Sequence, residues 1–148
     1  MSDMRELYRE VILDHNRSPR NFGTMEDATR VVEAVNPLCG DQLTLFLKTD
    51  GDTITDIKFS GTGCAISVAS SSLMTEKVKG CHCDQALALF EAVHEMLTGA
   101  KEPDIEQLEK LIALGGVREY PSRVKCASLA WHALKTALSS DRDNISTE

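Results

Sequence analysis

The chain of 148 residues is 42% hydrophobic and carries a formal net charge of -7, which suits one compact domain with a real buried core. Its acidity and scattered cations argue against nucleic-acid binding, because phosphate contacts need clustered Lys and Arg. The charged N-terminus and the lack of an apolar run of roughly 18 residues predict a cytoplasmic protein with no signal peptide or membrane span.

The first half of the chain predicts one helix followed by strands. Apolar residues over positions 3–15 recur at the spacing of one helical face. Alternating apolar and polar side chains then predict strands over residues 29–36, 43–48 and 53–60. The segment TDGD between the last two strands is typical of a hairpin turn.

The second half is helical in period. Helices are predicted over residues 65–79, 84–98, 104–114 and 121–140. Strands followed by helices indicate an α+β fold, here a small three-stranded antiparallel sheet packed against several helices in a single domain. This domain spans residues 1–140, and the polar tail, residues 141–148, is predicted to be disordered.

Three of the five cysteines lie where predicted elements begin or end. Cys39 falls in the loop between the first two strands and precedes Gly40 and Asp41. Cys64 follows a Gly-Thr-Gly segment at a helix start, and Cys126 lies near the start of the last helix. If the sheet packs on that helix, the three thiols and Asp41 converge at one end of the sheet. Free thiols without a secretion signal are often metal ligands or catalysts.

Simpler interpretations of each cysteine stay open at this point. Cys126 occupies a position where a buried core residue is expected, and free cysteine is among the most buried residue types. Cys64 would feel the positive end of a helix dipole, which stabilises thiolate, but such turns also simply begin helices. Gly-Asp after Cys39 is ordinary turn chemistry. No pair has the C-x2-C spacing of a zinc knuckle.

The cysteine segments NPLCGDQ, FSGTGCAISVASSSLMTE and YPSRVKCASLAWHAL resemble those of the IscU/SufU (NifU N-terminal-like) family of iron-sulfur cluster assembly proteins. The similarity runs from ELYREVILDH in the first helix to LAWHALKTAL in the last. Within the family the chain is most similar to the SufU branch, because the stretch from Cys64 to Cys126 is long and Lys125 stands where the IscU branch has a histidine.

The resemblance implies a zinc ion bound by Cys39, Asp41, Cys64 and Cys126, a donor set that suits tetrahedral zinc. It also implies a sulfurtransferase-like accessory partner of a PLP-dependent, SufS-like cysteine desulfurase that passes sulfur to downstream iron-sulfur assembly proteins. Cys39 would leave the zinc when the desulfurase supplies a replacement ligand and attack the outer sulfur of its persulfide. Arg123, within one helical turn of Cys126, is a second catalytic candidate.

Two other functions use the same residues. The chain is alternatively a scaffold on which Cys39, Cys64 and Cys126 hold a transient 2Fe-2S cluster, with Asp41 or an outside ligand completing the site. A purely structural zinc ion is the third possibility. Lys125 favours the sulfur acceptor over the scaffold.

The remaining cysteines lie together in the segment Cys81-His82-Cys83. The segment suggests a second metal site, but two cysteines and one histidine so close in sequence rarely complete a tetrahedral shell. It is therefore interpreted as an exposed turn between helices. His15, His94 and His132 are interpreted as packing or surface residues rather than ligands.

Overall fold

A computed structural model describes residues 4–102, 104–118, 120–139 and 144–146. The helices are α1 (Met4–Arg17), α2 (Ala65–Val78), α3 (Cys83–Thr98), α4 (Ile105–Leu108), a 3-10 helix (Glu109–Val117) and α5 (Pro121–Ser139). The strands are β1 (Arg30–Asn36), β2 (Asp41–Asp50), β3 (Thr53–Thr62) and β4 (Asn144–Ser146). The α+β fold is confirmed, with helices packed on a sheet.

The sheet has the order β3-β2-β1-β4. The three predicted strands pair antiparallel, and Gly51 supplies the positive φ of 59° that the turn between β2 and β3 needs. The fourth strand, β4, pairs parallel with β1 through Ala34 and Ile145. The sheet is therefore four-stranded and mixed rather than three-stranded and antiparallel.

The fourth strand falls in the tail predicted to be disordered. That prediction does not hold for residues 144–146, whereas residues 140–143, 147 and 148 lie outside the described part of the chain. Pairing gives the exposed edge of β1 backbone partners, and Ile145 packs partly buried against the core. A single apolar residue in a polar tail produces no period, so the sequence pattern did not show this strand.

The predicted helix over residues 104–114 is also different in the structure. Only one α-helical turn forms, and a 3-10 helix follows it over Glu109–Val117. Glu109 adopts a positive φ of 50°, which interrupts the regular α-helix. The two glycines that follow allow tight packing, since a Cβ on Gly116 would lie 2.6 Å from the Tyr8 ring.

Strand alternation determines which side chains face the core. In β2, Asp41 lies on the same buried face as Leu43, Leu45 and Leu47, because successive side chains of a strand point to opposite sides. Helices α2 and α5 contact each other, and the Ser70 hydroxyl donates to the Ala127 carbonyl between them at 2.5 Å. Asp41 is therefore carried to the place where the sheet meets the starts of these helices.

Candidate metal centre

Three candidate ligands meet at one end of the sheet. The Sγ atoms of Cys39 and Cys126 and a carboxylate oxygen of Asp41 all lie within 4.8 Å of one another. The two sulfurs are 3.0 Å apart although 87 positions separate the residues. The convergence predicted from the sequence is thus present for these three residues.

Cys39 belongs to a short loop between β1 and β2. The antiparallel ladder ends at the pair Asn36 and Asp41, which leaves the four residues 37–40 to make the connection. Gly40 takes the left-handed φ of 72° within it. Cys39 is exposed, and neighbouring Leu38 is 63% exposed. The thiol is therefore open to a macromolecular partner.

The Asp41 carboxylate is buried, with 1% exposure, and both oxygens accept hydrogen bonds. Oδ1 accepts from the Cys64 backbone N–H at 2.8 Å, and Oδ2 accepts from Asn36 Nδ2 at 3.3 Å. Gly63 passes so close that an added Cβ would lie 2.8 Å from Oδ1. A buried carboxylate held only by neutral donors among these contacts is suited to a cation, because burial of an uncompensated charge is costly.

Cys64 takes the N-cap position of α2, as its place at a helix start predicted. Its Sγ accepts from the Ser67 backbone N–H at 3.4 Å. The sulfur is not one of the three ligand atoms that lie within 4.8 Å of one another. Cys64 therefore lies at the edge of the centre, linked to it by its backbone bond to Asp41.

Cys126 is the deeply buried thiol of the cluster, at 1% exposure on the second turn of α5. Burial raises the pKa of Cys126 strongly, and hydrogen bonds with Cys39, Asp41 and Cys64 raise it further. Protons and metal ions compete for such sulfurs, since only the thiolate is a ligand. Soft sulfur donors with one hard oxygen match zinc or an iron-sulfur cluster better than Mg²⁺ or Ca²⁺.

Asn36 belongs to the centre but was missed in the sequence. Its side chain is fully buried, and Nδ2 lies 3.3 Å from Asp41 Oδ2 and 3.5 Å from Cys126 Sγ. A signal for it existed, because a four-residue hairpin loop around Cys39 makes Asn36 the cross-strand partner of Asp41. Without the register, an Asn before Pro resembled ordinary turn chemistry.

Arg123 lines a cavity of about 610 Å³ that adjoins Cys64. Its guanidinium lies 4.7 Å above the Tyr120 ring. Burial raises the pKa of Tyr8, and Arg123 partly offsets that effect. The cavity wall also includes apolar side chains of α1, such as Ile12 and Leu13. Arg123 thus belongs to a surface beside Cys64, and its described ring contact is with Tyr120.

The segment Cys81-His82-Cys83 lies at the far end of β3. Ile54 donates its N–H to the Cys81 carbonyl at 2.8 Å, and Cys83 donates to the Asp52 carbonyl at 2.7 Å. The ten residues of β3 separate this segment from Cys64, a distance of roughly 30 Å for an extended strand. Among the described residues, the cluster of possible metal ligands comprises Cys39, Asp41 and Cys126 and does not include this segment.

The three helix histidines make packing contacts. His15 Nδ1 lies 2.7 Å from Ser72 Oγ in a buried position. The rings of His94 and His132 are 5.8 Å apart and both contact Phe90.

Within the part of the chain that the structure describes, no helix is long and apolar enough to cross a bilayer.

Fold and site together define a small α+β protein whose strand ends and helix starts gather thiols and a carboxylate into one centre. The family model of the NifU-like N-terminal domain matches residues 7–127. The chain therefore belongs to this family, which includes the IscU and SufU proteins.

Several relatives match over nearly the whole chain. The zinc-dependent sulfurtransferase SufU of Bacillus subtilis is 41% identical over 140 residues, which cover 95% of each chain. The iron-sulfur cluster assembly scaffold protein IscU of Streptococcus pyogenes is 43% identical over 138 residues, 93% of this chain and 86% of the relative.

Two solved structures share the fold. The crystal structure of FiSufU from Fervidobacterium islandicum AW-1 superposes with a TM-score of 0.85 at 40% identity and covers 91% of this chain and 98% of its own. The N-terminal part of a NifU-like protein from Brucella abortus gives 0.83 at 25% identity, with 92% and 95% covered.

Proposed function

We propose that this chain is an iron-sulfur cluster assembly protein that accepts sulfur from the persulfide of a SufS-like, PLP-dependent cysteine desulfurase. The observation that carries the proposal is the pairing of an exposed thiol, Cys39, with a buried thiol and a buried carboxylate within 4.8 Å. The relative described as a zinc-dependent sulfurtransferase, which aligns with this chain over almost its whole length, supports the proposal.

The residues of the centre fit a zinc ion. Cys39, Asp41, Cys64 and Cys126 would hold it, because three sulfurs and one oxygen make a four-coordinate set of the kind zinc prefers. When bound, zinc keeps the sulfurs deprotonated at neutral pH, which the buried Cys126 thiol does not achieve alone.

The chain's own chemistry is a thiol exchange at Cys39. Its thiolate forms a bond to the outer sulfur of the partner's persulfide, and the sulfur-sulfur bond of that persulfide breaks. The partner cysteine leaves as a thiolate, and Cys39 carries the transferred sulfur as a new persulfide. No oxidant or reductant is consumed. The step requires an exposed nucleophile, and Cys39 is the exposed thiol of the cluster.

The surroundings of Cys39 divide the centre into a fixed and a movable part. Cys126 is buried on α5 and Asp41 is held by two hydrogen bonds, whereas Cys39 lies in a loop that can move without disturbing the core. The cavity beside Cys64 carries the exposed Arg123 and adjacent apolar side chains. We assign it to docking of the desulfurase, with Arg123 binding an acidic group of that partner.

The scaffold function uses the same thiols, and the 43% identical relative is described as a scaffold. Lys125 in place of a histidine before Cys126 favours the acceptor. In either case, downstream iron-sulfur assembly proteins receive the product, which is the sulfur carried by Cys39 or the iron-sulfur cluster held by the thiols.

Metal content and desulfurase activation separate the two functions. The chain is purified with and without air, zinc and iron per chain are measured, and its effect on the turnover of the cognate desulfurase is determined. Tight zinc with strong activation is the expected result. An oxygen-sensitive, coloured iron-sulfur species with little activation would assign the chain to the scaffold function instead.

A further inference from the structure

The side-chain amide of Asn36 joins two candidate ligands from a fully buried position. Nδ2 lies 3.3 Å from Asp41 Oδ2 and 3.5 Å from Cys126 Sγ. An amide NH2 group carries two N–H donors, so these contacts use its complete donor capacity. Both bonds end on atoms that are negatively charged when they bind a metal.

The fold determines this bridging position. Asn36 is the last residue of β1 and lies on its buried face with Val32 and Ala34. Its cross-strand partner is Asp41, the first residue of β2, so the pair closes the base of the loop that carries Cys39. Cys126 comes from α5, and the second N–H therefore ties the sheet to that helix.

The amide orientation follows from its neighbours. A flipped amide would point Oδ1, which can only accept a hydrogen bond, at a carboxylate oxygen and a sulfur. The carboxylate oxygen is also an acceptor, and the thiol is only a weak donor. In the observed orientation Oδ1 is buried and has no partner within the described residues. An unsatisfied buried oxygen destabilises a fold, so the amide has a cost at this position. The contacts of Nδ2 with Asp41 and Cys126 explain why an amide side chain occupies this position.

We propose that Asn36 is a positioning residue of the metal centre, which holds Asp41 and Cys126 as a fixed pair while Cys39 moves with its loop. The described contact of Cys39 to this pair is made through its sulfur to Cys126, so Cys39 can turn to a partner without breaking the amide bonds. The inference rests on the ligand set of the proposed function. Outer hydrogen bonds of this kind orient metal ligands and tune their affinity.

The first test compares zinc affinity in two matched variants. Asn36→Ala removes both N–H donors without adding a charge, and Asn21→Ala makes the same change where Nδ2 bonds Thr75 Oγ1 at 3.2 Å, away from the thiols. Affinity is measured by competition with a chromophoric chelator. We expect a loss of about 10–100-fold for Asn36→Ala and none for the control. If Asn36→Ala does not fold, Asn36→Val, which also adds no charge, replaces it.

A double-mutant cycle separates positioning from general stability. Asn36→Ala is combined with Asp41→Ala, and Co²⁺ affinity and the visible absorption bands of bound Co²⁺ are recorded. Asn36 is proposed to act through Asp41 and Cys126. The loss of Co²⁺ affinity caused by Asn36→Ala, expressed as a logarithm, should therefore fall to less than about half once Asp41 is absent. The bands of the Asn36→Ala variant should shift toward those of Asp41→Ala.

The outcomes discriminate between this inference and the site itself. Equal penalties in both backgrounds, or unchanged zinc affinity in the Asn36 variant, would overturn the positioning role while wild-type zinc binding leaves the centre intact. A wild-type chain that binds neither zinc nor Co²⁺ would refute the metal centre, and the inference with it.

Discussion

The sulfur of Cys39, in an exposed loop, lies 3.0 Å from the sulfur of Cys126, which is 1% exposed on a packed helix. The two thiols therefore share one centre but differ in access to solvent. Under the proposed function, this difference would let one set of residues both retain a metal and release a nucleophile.

Removal of single ligands tests the metal centre. We expect one zinc per wild-type chain and loss of zinc and of thermal stability in Cys64→Ala and Cys126→Ala, because a structural contribution of zinc is lost with its ligands. Cys81→Ser/Cys83→Ser is the control, since these residues lie at the far end of β3. Elemental analysis and melting curves measure both effects. Unchanged zinc in Cys64→Ala and Cys126→Ala would contradict the ligand set.

Gly63→Ala tests the position of Asp41 without removing a ligand. The added Cβ would lie 2.8 Å from Oδ1, so the carboxylate or the backbone must shift, and zinc affinity should fall about ten-fold. The control is Gly51→Ala, which strains a turn at φ 59° but meets no atom within 4 Å. It should lower the free energy of unfolding by about 1 kcal/mol and leave affinity unchanged. Equal affinity in both variants would count against a fixed Asp41.

Metal removal should make the central thiols vulnerable to oxidation. We expect diamide, which takes up two electrons and two protons, to link Cys39 to Cys126 in the metal-free chain, because their sulfurs already touch. Zinc should slow the reaction by occupying both sulfurs. Peptide mapping under non-reducing conditions identifies the link. Disulfides formed by other cysteines of the metal-free chain, with Cys39 and Cys126 both left as free thiols, would show that these two sulfurs do not meet in solution.

Substitution of Arg123 should weaken partner binding and spare the metal. The exposed guanidinium stacks on Tyr120 beside the cavity, a geometry that lysine does not reproduce. Arg123→Lys should therefore raise the concentration needed for half-maximal desulfurase activation by about ten-fold, with zinc content retained. The exposed Arg118→Lys is the control. Loss of zinc in Arg123→Lys would place the residue in the metal centre rather than the docking surface.

Much of the fold followed from periodicity. The alternating leucines of β2 and the helical periods of α1, α2, α3 and α5 predicted elements within a few residues of those observed, because each period reflects one buried face. The 3-10 helix did not follow, since Glu109 takes a positive φ that no local sequence pattern signals. Strand β4 depended on the free edge of β1, a property of the assembled sheet.

The centre was only partly visible in the sequence. The thiols and Asp41 stood out because a cysteine at a turn or helix start is chemically distinctive. Asn36 did not, because its role depends on the strand register that places it opposite Asp41 and on α5 bringing Cys126 to the same point. The helix start of Cys64 was predicted, but its sulfur bonds the Ser67 N–H and lies outside the cluster of three ligand atoms. That direction depends on side-chain rotation, which spacing does not determine.

The most direct test of the account maps the transferred sulfur. The zinc-loaded chain is incubated with the desulfurase and cysteine, alkylated, digested and analysed by mass spectrometry. The added sulfur should appear first on Cys39, the exposed thiol of the cluster, and Cys39→Ser should neither carry sulfur nor support transfer. Sulfur found instead on Cys81 or Cys83, with Cys39 unlabelled and Cys39→Ser fully active, would contradict both the acceptor assignment and the exchange chemistry at this loop.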